Sequence, residues 1–115
     1  MGSPFNETPH ISAREAHAKL EAGADALLVD VREPGEYFEV RAPGVTLIPL
    51  SEFVRRFGEL PREQELLMIC HTGQRSLQAT MFLRRQGFMR VANVIGGMDA
   101  WEAAGLPVER GRPQG

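Results

Sequence analysis

Apolar positions in this chain fall into short dense runs, separated by segments in which they recur every three or four residues. The runs at 27–31 and 66–70 are continuous rather than alternating, the pattern of a strand buried on both faces of a parallel sheet. Further strands are expected at Ile11, very short and at an edge, at 45–48 and at 91–95. Between them, Ser12 and Glu15 have the spacing of a capping box, and the helix they open runs past Leu20 to a stop at Gly23. Pro34 suits the first turn of a short helix through Tyr37 and Val40. Ser51 is expected to cap a helix over 52–59 that turns Phe53, Val54 and Phe57 inward and ends at Pro61. A helix over 76–86 is expected to bury Leu77, Met81 and Phe82, to face Arg84 and Arg85 to solvent, and to stop at Gly87. Gly96 and Gly97 turn the last strand into a helix over 98–104 that carries Trp101 at the core edge.

Strand and helix alternate with short connections, which predicts an α/β fold: a central parallel sheet of about five strands with helices on both faces. The domain is expected at 11–108, between a flexible N-terminal segment 1–10 and a flexible C-terminal tail 109–115. In such folds ligands collect at the carboxyl ends of the strands.

Composition narrows the function classes. A length of 115 residues corresponds to one domain, and a net charge of −2 gives no reason to expect nucleic acid or an anionic membrane as a partner. Residues 1–8 lack a basic region and an apolar run, and no stretch reaches the length of a bilayer span, so a cytoplasmic location is the expectation. One cysteine excludes an internal disulfide and a cysteine-cluster metal site. No internal thiol can resolve what Cys70 takes up, so it must pass to another molecule.

That cysteine opens the stretch Cys70-His71-Thr72-Gly73-Gln74-Arg75-Ser76, between a buried strand and a helix. The first N–H groups of a helix lack intrahelical partners, and the macrodipole adds positive charge there. A loop curling such groups toward one point is an anion cradle, which favours the nucleophilic thiolate. Gly73 permits a backbone that a side chain would forbid, and Arg75 brings a planar fork of donors suited to an oxyanion. A lone cysteine at a strand end is often only a small apolar residue. Glycine, arginine and serine following at short spacing point instead to chemistry.

The stretch resembles the active-site loop of single-domain rhodanese-like sulfurtransferases, which often read Cys-x-x-Gly-x-Arg-Ser. Three further segments are similar to family motifs, in the family's order: Asp30-Val31-Arg32-Glu33 within 28–37, Pro43-Gly44-Val45 through Ile48-Pro49, and Gly96-Gly97 to Trp101. The resemblance implies a rhodanese-like three-layer fold and a sulfurtransferase of the thiosulfate type. A sulfane sulfur would move from a small-molecule donor, such as thiosulfate, through a persulfide on Cys70 to cyanide, a thiol or a protein acceptor. No metal and no organic cofactor is called for.

On this reading Cys70 is the nucleophile, and His71, Thr72, Gly73, Gln74, Arg75 and Ser76 form the substrate-binding loop. Thr72, Gln74 and Ser76 contribute backbone N–H groups, and Ser76 also caps the following helix. Arg75 faces either inward to a donor sulfonate or outward to solvent. His71 stands where family members carry Arg or Lys, and tunes the rim or is simply solvated. Asp30 and Arg32 brace the loop from the neighbouring strand. Glu36 lies where some two-domain members place an arginine, and an acid there would repel a sulfonate. His17 is expected to be a solvated helical residue. Two other functions stay open: a docking module or dedicated sulfur carrier, and a protein-tyrosine-type phosphatase. Phosphatase loops of that type hold one residue more between cysteine and arginine than the four, 71–74, present here. The physiological donor, the acceptor and the oligomeric state are not legible in the sequence.

Overall fold

Alternation along one strand divides the core in two. A computed structural model of the chain describes residues 9–112, and within it Glu65–Ile69 forms strand β4 at the centre of the sheet. Leu66, Met68 and the following Cys70 enter one apolar cluster with Val29, Val31, Phe53 and Leu83. Leu67 and Ile69 enter the other with Leu28, Met98 and Trp101. Both clusters are fully buried, which is why the sequence of this strand is continuously apolar. Expectations for residues 1–8 and 113–115 lie outside the described residues.

Along the chain the elements are β1 (His10–Ile11), α1 (Ala13–Glu21), β2 (Ala26–Asp30), α2 (Pro34–Glu39), β3 (Thr46–Leu47) and α3 (Leu50–Arg56). A 3-10 turn (Phe57–Glu59), β4, α4 (Gln74–Arg85), β5 (Val91–Val94) and α5 (Gly97–Ala103) complete them. The sheet order is β1-β5-β4-β2-β3 and every pairing is parallel. Helices α1 and α5 cover one face, while α3 and α4 cover the other. This is the expected α/β architecture. The winding of the chain switches between β2 and β4, with β3 added on one side and β5 on the other, so the carboxyl ends of these parallel strands meet beside one crevice.

Local chemistry explains most boundaries. The Ser12 hydroxyl accepts from the Glu15 N–H at 3.1 Å, and the Glu15 carboxylate accepts from the Ser12 N–H at 3.2 Å, closing the expected capping box. Beyond the last strand, Arg41 and Glu109 exchange two backbone hydrogen bonds and the Gly111 N–H donates to the Phe38 carbonyl.

Four local expectations are corrected. Helix α3 starts at Leu50 after Pro49, so Ser51 is not its cap; the Ser51 hydroxyl donates to the Glu33 carboxylate instead. Val54 is exposed, and only Phe53 of this helix is fully buried. The buried stripe of α4 is Ser76, Ala79, Thr80 and Leu83, not Leu77 and Met81. Small residues let the helix backbone lie close to the sheet, which leaves the larger Leu77, Met81 and Phe82 on its shoulders and Arg84 half-buried. His17 packs edge-on against Trp101 at a ring separation of 5.6 Å, with Nε2 3.3 Å from the Glu21 carboxylate, so it is not a freely solvated residue.

Candidate active site

Cys70 follows the last residue of β4 and is buried, with 1% of its surface exposed. The chain then turns through His71 and Thr72 to Gly73, whose φ of 100° lies in the left-handed region. That turn aims the Gly73 N–H back at the Cys70 Sγ, 3.1 Å away. Helix α4 therefore begins at Gln74, two residues before the expected start, and Ser76 sits within its first turn rather than capping it. The buried Ser76 hydroxyl comes within 3.2 Å of the same sulfur. One N–H and one hydroxyl thus face the thiol at the amino end of α4, where the helix dipole favours negative charge.

The carbonyls of the loop point the other way. Cys70 O accepts from the Met98 N–H at 2.7 Å and His71 O from the Asp99 N–H at 3.1 Å, both at the start of α5. A carbonyl aimed into the cradle would repel a thiolate, so anchoring these two on α5 leaves donors facing the sulfur. Gly97 makes this contact possible: a β-carbon there would lie 2.7 Å from the His71 O and nearer still to the Cys70 O.

Asp30 and Arg32 form the pair expected of them. Arg32 Nη2 donates to Asp30 Oδ2 at 2.7 Å and Nε to Oδ1 at 3.0 Å, with both side chains almost fully buried. The guanidinium also reaches the carbonyls of Glu36 (3.3 Å) and Val40 (2.6 Å), which ties α2 to the carboxyl end of β2.

Arg75 faces neither an open pocket nor open solvent. Its Nη1 and Nη2 donate to Glu36 Oε1 and Oε2, each at 2.7 Å. The hydrogen bonds from Arg75 hold the Glu36 carboxyl at about 2, outweighing the opposing effect of partial burial, and the Glu33 N–H adds to them. The Arg75 guanidinium is raised in turn, chiefly by Glu36. Glu36 is therefore the partner of the loop arginine. His71 is also paired: its Nε2 lies 2.9 Å from Asp99 Oδ1, and both side chains are more than half exposed. Thr72 and Gln74 are exposed beside them.

Two residues at the site escape a reading of the sequence. Asp99 gives its N–H to the loop and its carboxylate to His71, but a lone aspartate in a short helix carries no signal. Asn93 is the second. It is buried on β5, and its Oδ1 lies 2.6 Å from the Ser76 hydroxyl. The signal was present: one amide in the apolar run Val91-Ala92-Asn93-Val94-Ile95, just before the paired glycines.

Residues 12–104 match the family model for the rhodanese-like domain. A Bacillus subtilis protein that bears the provisional name sulfur carrier protein YrkF is 40% identical over 93 residues. The match takes in 81% of this chain but 50% of that protein, so the chain spans half its length. A protein named sulfurtransferase from Allochromatium vinosum is 35% identical over 98 residues, 85% of this chain and 92% of that one. The crystal structure of a rhodanese-related protein from Thermoplasma volcanium superposes with a TM-score of 0.81 at 30% identity, covering 88% of this chain and 97% of the other. The chain belongs to the rhodanese-like domain family.

Proposed function

We propose that this protein transfers a sulfane sulfur through a persulfide on Cys70. The observation that carries the reading is the pair of donors at Cys70 Sγ, the Gly73 N–H at 3.1 Å and the Ser76 hydroxyl at 3.2 Å, at the carboxyl end of the central strand. Relatives named sulfurtransferase and sulfur carrier support the same class of reaction. In the first half-reaction the Cys70 thiolate attacks the outer sulfur of thiosulfate. The sulfur–sulfur bond of the donor breaks, sulfite leaves with the bonding pair, and Cys70 holds a persulfide anion. In the second, cyanide attacks the terminal sulfur, thiocyanate leaves, and the Cys70 thiolate returns. The terminal sulfur carries the charge after the first step, so the donors that serve the thiolate also serve the intermediate. His71, Thr72, Gln74 and Arg75 border the loop as its binding residues, and Asp30 with Arg32 brace it.

A second reading is supported by one contact. Arg75 is engaged by Glu36 through both arms of its guanidinium, so its charge is already compensated toward a small dianion such as thiosulfate. A dedicated sulfur carrier, loaded by a protein persulfide and discharged to a protein acceptor, needs no such cation.

Intact mass after incubation with donor, beside a Cys70→Ser control, tests both. A gain of one sulfur atom, reversed by cyanide and absent from the control, is the expected result. Loading by a protein persulfide but by neither thiosulfate nor 3-mercaptopyruvate selects the carrier. Loading by none of the three overturns the proposal.

A further inference from the structure

The Ser76 hydroxyl has one hydrogen and two neighbours that want it. Asn93 Oδ1 lies 2.6 Å away and Cys70 Sγ 3.2 Å away, and all three residues are buried. While Cys70 is a thiol, the arrangement is self-consistent: Ser76 donates to Asn93, and the thiol S–H donates to a Ser76 lone pair. Once Cys70 is a thiolate, that lone pair faces a negative sulfur. The hydroxyl hydrogen must swing to the sulfur, and Asn93 Oδ1 then loses its donor. A half-turn of the amide corrects this, because Nδ2–H then donates to the Ser76 oxygen while the hydroxyl donates to sulfur. In that state the chain Asn93–Ser76–Cys70 runs with every donor aimed toward the charge, and consecutive bonds strengthen one another.

We propose that Asn93 is a positioning residue for Cys70, acting through Ser76 as a reversible relay that matches both the protonated and the charged sulfur. An amide is the side chain this needs, since it offers an acceptor and a donor at the same reach. A carboxylate offers only acceptors and would hold the Ser76 hydrogen off the sulfur. The other charged groups around the loop are paired among themselves, Arg75 with Glu36 and Arg32 with Asp30 at the end of β2, while His71 lies against Asp99 on α5. From β1, His10 is the register partner of Asn93 and is exposed. All of these stay in place in the variants below.

The inference rests on Cys70 as the reacting atom, but its test needs no sulfur donor. The ultraviolet absorbance of the thiolate is titrated in the resting protein, with Cys70→Ser subtracted. Asn93→Asp is expected to move the midpoint upward by about one pH unit or more. In a Ser76→Ala background the same change is expected to move it less than half as far. Equal shifts in the two backgrounds would mean simple charge repulsion and overturn the relay, as would no shift at all. If Asn93→Asp does not fold, the side-chain amide protons of Asn93 are followed by NMR in the unaltered protein. They are expected to shift with the Cys70 midpoint, and the shift to fall by more than half in Ser76→Ala; an undiminished shift overturns the proposal. Failure to form a persulfide in the mass experiment leaves these titrations readable, so the two ideas fail separately.

Discussion

Arg75 and Glu36 meet as a two-armed ion pair, with both nitrogen–oxygen distances at 2.7 Å. The pair joins the cysteine loop to α2, and its acid is itself held: the Glu33 N–H donates to Glu36 Oε1, and Arg32 grips the Glu36 carbonyl from β2. A path of contacts thus runs from the buried Asp30 to the only arginine of the loop. It fixes where that arginine points and neutralises it.

Releasing Arg75 should favour anionic donors. Glu36→Gln keeps the shape of the side chain and removes its charge. We expect kcat/KM for thiosulfate to rise roughly three- to tenfold, the change that about 1 kcal/mol of added transition-state binding produces. Steady-state kinetics with thiosulfate and cyanide would check it. A fall instead would mean that Glu36 aims Arg75 at the donor rather than withholding it.

The same pair sets an acid limit. The Glu36 carboxyl drops from an ordinary 4.5 to about 2, chiefly through its hydrogen bonds from Arg75. Its contribution to stability is complete above pH 4.5 and fades as pH falls from there toward 2. Both side chains are about one-third exposed, so solvent screening keeps the contribution small. The difference in urea midpoint between the unaltered protein and Glu36→Gln should be flat above pH 4.5 and shrink below it. A difference that grew on acidification would show that the pair is not formed in solution.

Much of this frame is legible in the order of residues, because the features responsible are local. Continuous apolar runs mark β2 and β4, Ser12 with Glu15 marks the start of α1, and Gly73 beside Cys70 marks the loop. What escapes the sequence is orientation across space. Val54 looks like a core residue by helical spacing yet is exposed, and on α4 the smaller Ala79 and Thr80 take the sheet-facing side from Leu77 because they allow closer approach. Arg75 reads equally well as inward or outward until Glu36, 39 positions away, is seen opposite it. Asn93 and Asp99 act through contacts across space that no spacing rule describes.

The buried pair at the end of β2 should matter more for folding than for chemistry. Asp30→Ala would leave the Arg32 guanidinium, 3% exposed, without its carboxylate. Stranding a buried charge costs about 3–5 kcal/mol, a large part of the stability of a domain this size. Urea unfolding would read this directly, and Asp30→Asn, which keeps two polar atoms in place, should lose less. A loss under about 1 kcal/mol would show that Arg32 reaches water once its partner is gone.

Close packing of α5 on the loop yields the sharpest contrast between two glycines. Gly97 and Gly105 both have positive φ, 55° and 71°, so alanine is strained at either. Only at Gly97 does the added carbon collide, with the backbone of Cys70 and His71; at Gly105 it meets nothing within 4 Å. Gly105→Ala should therefore cost about 1 kcal/mol of backbone strain and leave Cys70 chemistry intact. Gly97→Ala should cost more, about 2–4 kcal/mol. It should also slow persulfide loading, because the Cys70 and His71 carbonyls can no longer reach the α5 N–H groups that hold them out of the cradle. Unfolding free energies and loading rates measured on both variants decide the matter. If the two lose equal stability and Gly97→Ala loads normally, the loop does not depend on α5 for its shape.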